Sequence, residues 1–403
     1  MNLIFLTVSR IRDINSRGIY TDLMRKFREE GHNVYIVSPS ERQFGIPTEL
    51  KEVDGVKILG VKTLNIQKTN LIEKGLGTIL LENQFKGAIK KYLNGILFDL
   101  ILYSTPPITL TSVVKFLKQK NPKAVSYLLL KDIFPQNALD LGMFSERNLL
   151  YWYFRRKEIE LYKESDFIGC MSPANVNFLL KHNPFINSHI VEVAPNSLEL
   201  VKSDNNSTET RTKIRTKYNL PTNKPIFIYG GNLGKPQGIP FLIDCLSANS
   251  DRTDCHFVVV GNGTEYGRLK SWHNEFHPNN VSVFASLPKG DYDLLVQSCD
   301  VGLIFLDYRF SIPNYPSRLL SYLEYKMPVI TATDVNTDIG TIAEENGYGY
   351  CCESVDAGAF TLCVNKFIDN PESIEIMGEK AYNFLLNNYL VDHTYNKIIV
   401  HLK

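Results

Sequence analysis

Short apolar runs alternate along the chain with longer segments whose apolar residues recur every three or four positions. The runs "NLIFLTV", "NVYIVSP", "FDLILYST", "AVSYLLL", "DFIGCMS" and "HIVEVAPNS" predict strands, and helical spacing falls over residues 17–30, 76–94, 108–119 and 146–164. Residues 201–224, "VKSDNNSTETRTKIRTKYNLPTNK", are polar, with no sustained apolar pattern before Ile214. The alternation then restarts, with strands at "PIFIYGG", "CHFVVVG", "VSVFAS", "VGLIFL" and "PVITA" and helices over 238–248, 264–276, 290–298 and 316–326. Buried strands alternating with amphipathic helices predict an α/β chain with parallel sheets. The expected division is a Rossmann-like domain over 1–200, a linker and domain start over 201–224, and a second Rossmann-like domain over 225–385. A final helix over 386–403 is expected to pack back toward the first domain. Two such domains facing one another leave a cleft at the carboxyl ends of the strands, where these sheets bind ligands.

Composition narrows the function classes. The chain has 403 residues, enough for two cores, and is 44% apolar and 22% charged. A net charge of +1 offers no global attraction for nucleic acid, and none is expected as a partner. The seven cysteines form no CxxC pair and none stands at zinc spacing from a histidine. The opening "MNLIFLTVSRIRD" reads as a buried strand, too short for a leader or a membrane span. Reduced thiols and a cytoplasmic location are the expectation.

Candidate chemistry concentrates in the second half. In "FSIPNYPSRLLSYLEYKMPVITA", Leu319, Leu320 and Leu323 make a buried stripe, while Pro316 opens the helix and Pro328 closes it. Ser317, Arg318, Ser321 and Glu324 are left on the less apolar side, with Arg318 where a helix start favours an anion. At the helical rise, Glu324 lies about 9 Å farther along the axis. An ordinary exposed arginine on a surface helix is the plainer reading. "IYGGNLGKPQGI" follows a strand and opens a helix, so its glycines bring backbone amides close to an anion, with Lys235 adding charge. "VVVGNGTEYG" fits a tight turn better than a dinucleotide fingerprint. Asp291 and Asp293, spaced Asp-x-Asp, are explained by a cap and a first-turn acid, so no metal site is expected.

"YGGNLGKPQG", "VVVGNG", "SLPKGDYDLLVQSCDVGLIFL" and "IPNYPSRLLSYLEYKMPV" occur in the order seen in family-4 glycosyltransferases of the GT-B fold, and the resemblance covers nearly the whole chain. "GNLGK.QG", "KDIFP" and "IPNYPSRLLSYLE" are similar, more narrowly, to the bacterial branch that builds O-antigens and capsules, including N-acetylfucosaminyl transferases. The resemblance implies a retaining, metal-independent transferase that takes a nucleotide-sugar, UDP-linked by analogy with the branch. Its acceptor would be a polyprenyl-diphosphate-linked saccharide held by the first domain at the inner membrane face. It implies that Arg318 grips the diphosphate, that Gly231, Asn232 and Lys235 close around it, and that Gly18 lets the first domain approach. Leu287 would cover the base through backbone groups, with Ser317, Leu319 and Ser321 lining the helix start. Arg12 and Arg17 are either added charge or solvated loop cations. The chain also departs from the family. Pro313 and Ser321 stand where the usual Glu-x7-Glu would be, Glu324 is the candidate replacement, and Gln237 takes the place of the usual lysine.

Asp132, at the end of a first-domain strand, is the candidate catalytic group beside the sugar, unless it is a loop aspartate. "KFLKQKNPK" and "LLYWYFRRKE" mix cations with aromatics and suit an anionic membrane surface. The competing reading puts Trp152, Tyr153 and Phe154 partly in the core. Two other functions fit the same fold: a nucleotide-sugar epimerase or hydrolase, and a non-catalytic nucleotide-sugar-binding subunit.

Overall fold

A computed structural model describes residues 1–66, 71–200 and 208–402. The chain forms two compact units, Met1–Glu199 together with Leu390–Lys403, and Leu200–Tyr389.

The first unit is built on an eight-stranded sheet. Its strands are β1 (Asn2–Leu6), β2 (Asn33–Glu41), β3 (Glu49–Val53), β4 (Val56–Thr63), β5 (Leu100–Ser104), β6 (Val125–Leu130), β7 (Phe167–Cys170) and β8 (Val191–Val193). They are ordered β3-β4-β2-β1-β5-β6-β7-β8, and every pairing is parallel except β3 with β4. That hairpin turns on Asp54 and Gly55, both at positive φ, as a two-residue turn between twisted strands requires. Neither β3 nor β4 was among the expected strands, and β3 is a largely exposed edge strand without an apolar run. Strands β1 and β5 are covered on both faces, which is why they read as continuous apolar runs.

The chain returns to this unit at its end. Helix Val391–Ile399 lies on helix Ile19–Glu29, where Lys26 pairs with Asp392 at 2.7 Å and the Phe27 ring meets Tyr395 edge-on at 4.9 Å. Thr394 Oγ1 bonds Ser197 Oγ at 2.9 Å.

The second unit carries β9 (Ile226–Asn232), β10 (His256–Asn262), β11 (Val281–Phe284), β12 (Val301–Phe305), β13 (Val329–Thr333) and β14 (Gly349–Glu353). They are ordered β11-β10-β9-β12-β13-β14, all parallel. The chain runs outward from β9 through β10 to β11, then crosses back to β12 on the other side. The junction of β9 and β12 is therefore the switch point of a Rossmann-like sheet, where the carboxyl ends of the strands leave a crevice. Phe227, Phe257, Phe305, Phe360 and Phe367 fill the core beneath it.

Residues 201–207 of the expected linker lie outside the described residues. Of the rest, Thr208–Lys217 is a helix. It docks by charge rather than by an apolar stripe, since Arg211 and Arg215 both pair with Asp300. The helix expected over 316–326 is Arg318–Glu324, and the one expected from 146 starts at Leu149, where Asn148 Oδ1 caps Leu150 N at 2.8 Å. Helix Pro173–His182, capped by Ser172, had not been read from the pattern. Among the described residues no helix is long and apolar enough to cross a membrane.

Candidate functional site

The crevice between β9 and β12 gathers the second unit's candidate residues. β9 ends in Gly230, Gly231 and Asn232, and Gly231 has φ +125°, a conformation side chains rarely adopt. A Cβ built there would lie 3.6 Å from the Arg318 guanidinium, so backbone and cation are in direct apposition. Arg318 opens the seven-residue helix Arg318–Glu324 but does not point along it into solvent. Its guanidinium lies 4.3 Å over the Tyr229 ring, a cation–π arrangement, and its Nη1 is buried without a hydrogen-bond partner. Among the described residues no carboxylate pairs with it within salt-bridge distance. A buried cation left unpaired is costly, and the cost falls when an anion arrives. Burial also pushes the nearby Tyr292 hydroxyl up to about 12, keeping it neutral beside Gly230. Tyr229 and Tyr292 had not been singled out from the sequence; the aromatic before the glycines in "IYGG" was the available signal.

The glycine turn closes on itself beside the cation. Gln237 Oε1 accepts from Asn232 Nδ2 at 2.9 Å and from Gly234 N at 3.2 Å, so this oxygen braces the turn. Asp307 N donates to Pro236 O at 3.0 Å, tying the turn to the end of β12. Lys235 is exposed. The second turn, "VVVGNG", supports the first: a Cβ on Gly261 would fall 1.8 Å from Gly231 O. Leu287 is half-buried past the end of β11. In the Arg318 helix Leu319 is buried, Ser317 is exposed, and Ser321 and Glu324 are half-buried, so Arg318, Ser321 and Glu324 share the open face. Asp291 does not cap its helix. It pairs with Lys217 at 2.7 Å, and Asp293 pairs with Lys289 at 3.5 Å. Among the described residues no group of three or more His, Cys, Asp or Glu side chains could hold a metal ion.

Asp132 belongs to the first unit. It follows β6, beside the switch point between β1 and β5. Thr105 Oγ1 donates to Asp132 O at 3.0 Å and lies 3.0 Å from Lys131 N, which fixes the strand end. Burial pushes the Asp132 carboxyl up to about 6, opposed by the Asn137 amide that donates to Oδ1 at 2.8 Å. Burial likewise pulls Lys131 down to about 7, and its Nζ donates to Ala194 O at 3.0 Å. Gly18 is exposed at the start of helix Ile19–Glu29, where its N–H donates to Asp22 Oδ1 at 2.9 Å. With Arg12, Arg17 and Tyr20 it lines a recess of about 460 Å³. Arg12 is not a solvated loop cation, because it pairs with Glu49 at 3.0 Å and bonds Ser40 Oγ at 2.5 Å.

Helix Leu149–Glu164 exposes Arg156 on the same side as Trp152 and Tyr153. Leu149, Leu150, Trp152 and Tyr153 are exposed, Leu149 by 86%. Phe154 instead packs edge-on against Phe134 at 5.1 Å. Arg155 is held by the buried Glu158 at 2.6 Å and by Asn183 Oδ1 at 2.6 Å.

Residues 210–384 match the profile of the family described as "Glycosyl transferases group 1". The chain is 22% identical to the probable glycosyltransferase WbjE of Pseudomonas aeruginosa over 384 residues, 93% of this chain and 91% of that protein. It is 24% identical to WcaI of Escherichia coli (strain K12), whose name places it in colanic acid biosynthesis, over 191 residues and 46% of each chain. In fold it is similar to Anabaena Alr3699/HepE, solved in complex with UDP, at a TM-score of 0.70 and 14% identity over 100% of this chain and 99% of that one. Residues 210–384, with their crevice at Arg318, thus match the group 1 glycosyl transferase profile, in a chain of two Rossmann-like domains with the GT-B fold.

Proposed function

We propose that this chain is a retaining glycosyltransferase of polysaccharide synthesis, and that its second unit holds a nucleotide-sugar by the diphosphate at Arg318 and Gly231. The observation that carries the reading is the Arg318 guanidinium, laid over Tyr229 at the end of β9 with a buried Nη1 lacking a partner. A diphosphate supplies the missing acceptor, and it develops charge as the sugar leaves, so a preorganised cation lowers the barrier. Retention proceeds by front-face attack, with the departing diphosphate taking the acceptor proton. Asp132 is the catalytic candidate for the sugar, and no metal is required.

The name of WbjE supports glycosyl transfer, the colanic acid in the name of WcaI supports a polysaccharide product, and the UDP bound to HepE supports a UDP-sugar donor. On the sequence resemblance, the sugar is an N-acetylated amino sugar such as N-acetylfucosamine, and the acceptor is a polyprenyl-diphosphate-linked saccharide at the inner membrane face. The exposed Leu149, Leu150, Trp152 and Tyr153 suit a peripheral membrane contact.

A thermal-shift panel of UDP, GDP and their sugars tests the reading. A uridine ligand should raise the melting midpoint of the wild type, and Arg318→Ala should abolish most of that rise. A charge-assisted hydrogen bond is worth about 1.5–3 kcal/mol, hence roughly tenfold or more in affinity. An equal shift in both proteins would remove Arg318 from the donor site.

A further inference from the structure

On one side β9 keeps its partner to its last residue, with Asn232 opposite Asn262 of β10. On the other side its pairing with β12 stops at Ile228 opposite Gly302. In a parallel ladder a single residue of the neighbouring strand takes the C=O of one residue and the N–H two positions on. Here the hydroxyl of Tyr322 takes both. It donates to Ile228 O at 3.1 Å and accepts from Gly230 N at 3.2 Å, with Leu303 O of β12 at 3.4 Å. Tyr322 is fully buried and comes from the same short helix as Arg318, one turn on. Its ring crosses β12 over Gly302, where a Cβ would lie 2.4 Å from the ring carbons. No other residue type leaves that passage open.

We propose that Tyr322 is a positioning residue for the donor site: its hydroxyl stands in for a strand residue between β9 and β12 and sets the Gly230–Asn232 backbone against Arg318. This rests on the reading that the diphosphate binds at Arg318 and Gly231. A phenylalanine at 322 keeps the ring over Gly302 but leaves Ile228 O and Gly230 N without their shared partner. The end of β9 then loses the contact that fixes its distance from Arg318, although the core is nearly unchanged.

The test titrates UDP calorimetrically into the full-length wild type, Tyr322→Phe and Arg318→Ala, with amide hydrogen exchange read over residues 228–232. Tyr322→Phe should melt cooperatively, bind UDP about tenfold more weakly, and exchange the Gly230 amide faster, because a buried polar group without its partner is costly. In the wild type, which needs no substitution, UDP should slow exchange across Gly230–Asn232. Wild-type affinity in Tyr322→Phe alongside weakened binding in Arg318→Ala would overturn the positioning role alone, as would UDP binding that leaves Gly230–Asn232 unprotected. Equal UDP affinity in Arg318→Ala and wild type would overturn the donor-site reading beneath it.

Discussion

Arg318 and Asp132 are half-buried charges whose surroundings treat them differently. Arg318 stays a cation whatever its environment, so burial turns it into a site waiting for an anion. Asp132 can shed its charge, and burial lifts its carboxyl to about 6. The sign of the consequence is fixed. Between the ordinary carboxylate value, about 4, and the folded value, the folded chain keeps a proton that the unfolded chain gives up. The stability due to this group is therefore complete below pH 4, falls as pH rises toward 6, and is absent above. Asp132→Asn, which can still accept from Asn137, should raise the melting midpoint relative to wild type above pH 6 and leave it nearly unchanged below about pH 4. A midpoint difference independent of pH would show that the carboxyl is not perturbed. If the ionised form serves the sugar, the acid limb of kcat/KM near pH 6 should vanish in the same variant. Neither residue's setting was fully legible. "LLLKDIFP" marked Asp132 at a strand end, and Asn137, which donates to its carboxyl, lies five residues on, but Thr105, which bonds its carbonyl, comes from the end of β5. Arg318 was found at a helix start, whereas its apposition to Gly231 and Tyr229 joins positions about ninety residues apart.

At the scale of elements, many of those that pack through continuous apolar runs were readable in advance, although β4 and helices Pro173–His182 and Ala357–Asp369 were not. β9 to β13 and their helices announced themselves as alternating buried runs. Helix Thr208–Lys217 did not, because Arg211 and Arg215 dock it on Asp300. The β3–β4 hairpin was missed although Asp54-Gly55 is a strong turn signal. Tyr322 was hidden for another reason: its place between leucines reads as ordinary core, and only the interrupted β9–β12 pairing gives its hydroxyl a task.

Two predictions belong to elements. Asp291 and Asp293 are engaged by Lys217 and Lys289, so transfer should survive excess EDTA. Loss of activity restored by magnesium or manganese would contradict this. Helix Leu149–Glu164 should hold anionic vesicles through its exposed apolar end, so a variant with serine at Leu149, Leu150 and Trp152 should no longer sediment with them. It should keep transfer to a short-chain, water-soluble acceptor. Reversing Arg155 is a poor test, because it would strand the buried Glu158 and destabilise the helix. Unchanged sedimentation of the serine variant would leave that surface without a membrane role.

For the whole molecule, the proposed donor site lies within the residues that match the group 1 profile, and the proposal of transfer rests on an acceptor as well as a donor. Both sheets carry a switch point, at β1 and β5 in one and at β9 and β12 in the other. Among the described residues, only the second presents a cation whose buried Nη1 lacks a hydrogen-bond partner beside a positive-φ glycine. The same fold could epimerise or hydrolyse a nucleotide-sugar, or merely hold one. The most direct test incubates a UDP-sugar with the wild type and with Arg318→Ala, first alone and then with a lipid-linked saccharide, and measures UDP release and glycosylated product together. One UDP per product is expected, with release that depends on the acceptor and at least tenfold less of both in Arg318→Ala, in line with the loss of a charge-assisted phosphate contact. Donor consumed equally without acceptor, or Arg318→Ala turning over at the wild-type rate, would contradict that expectation.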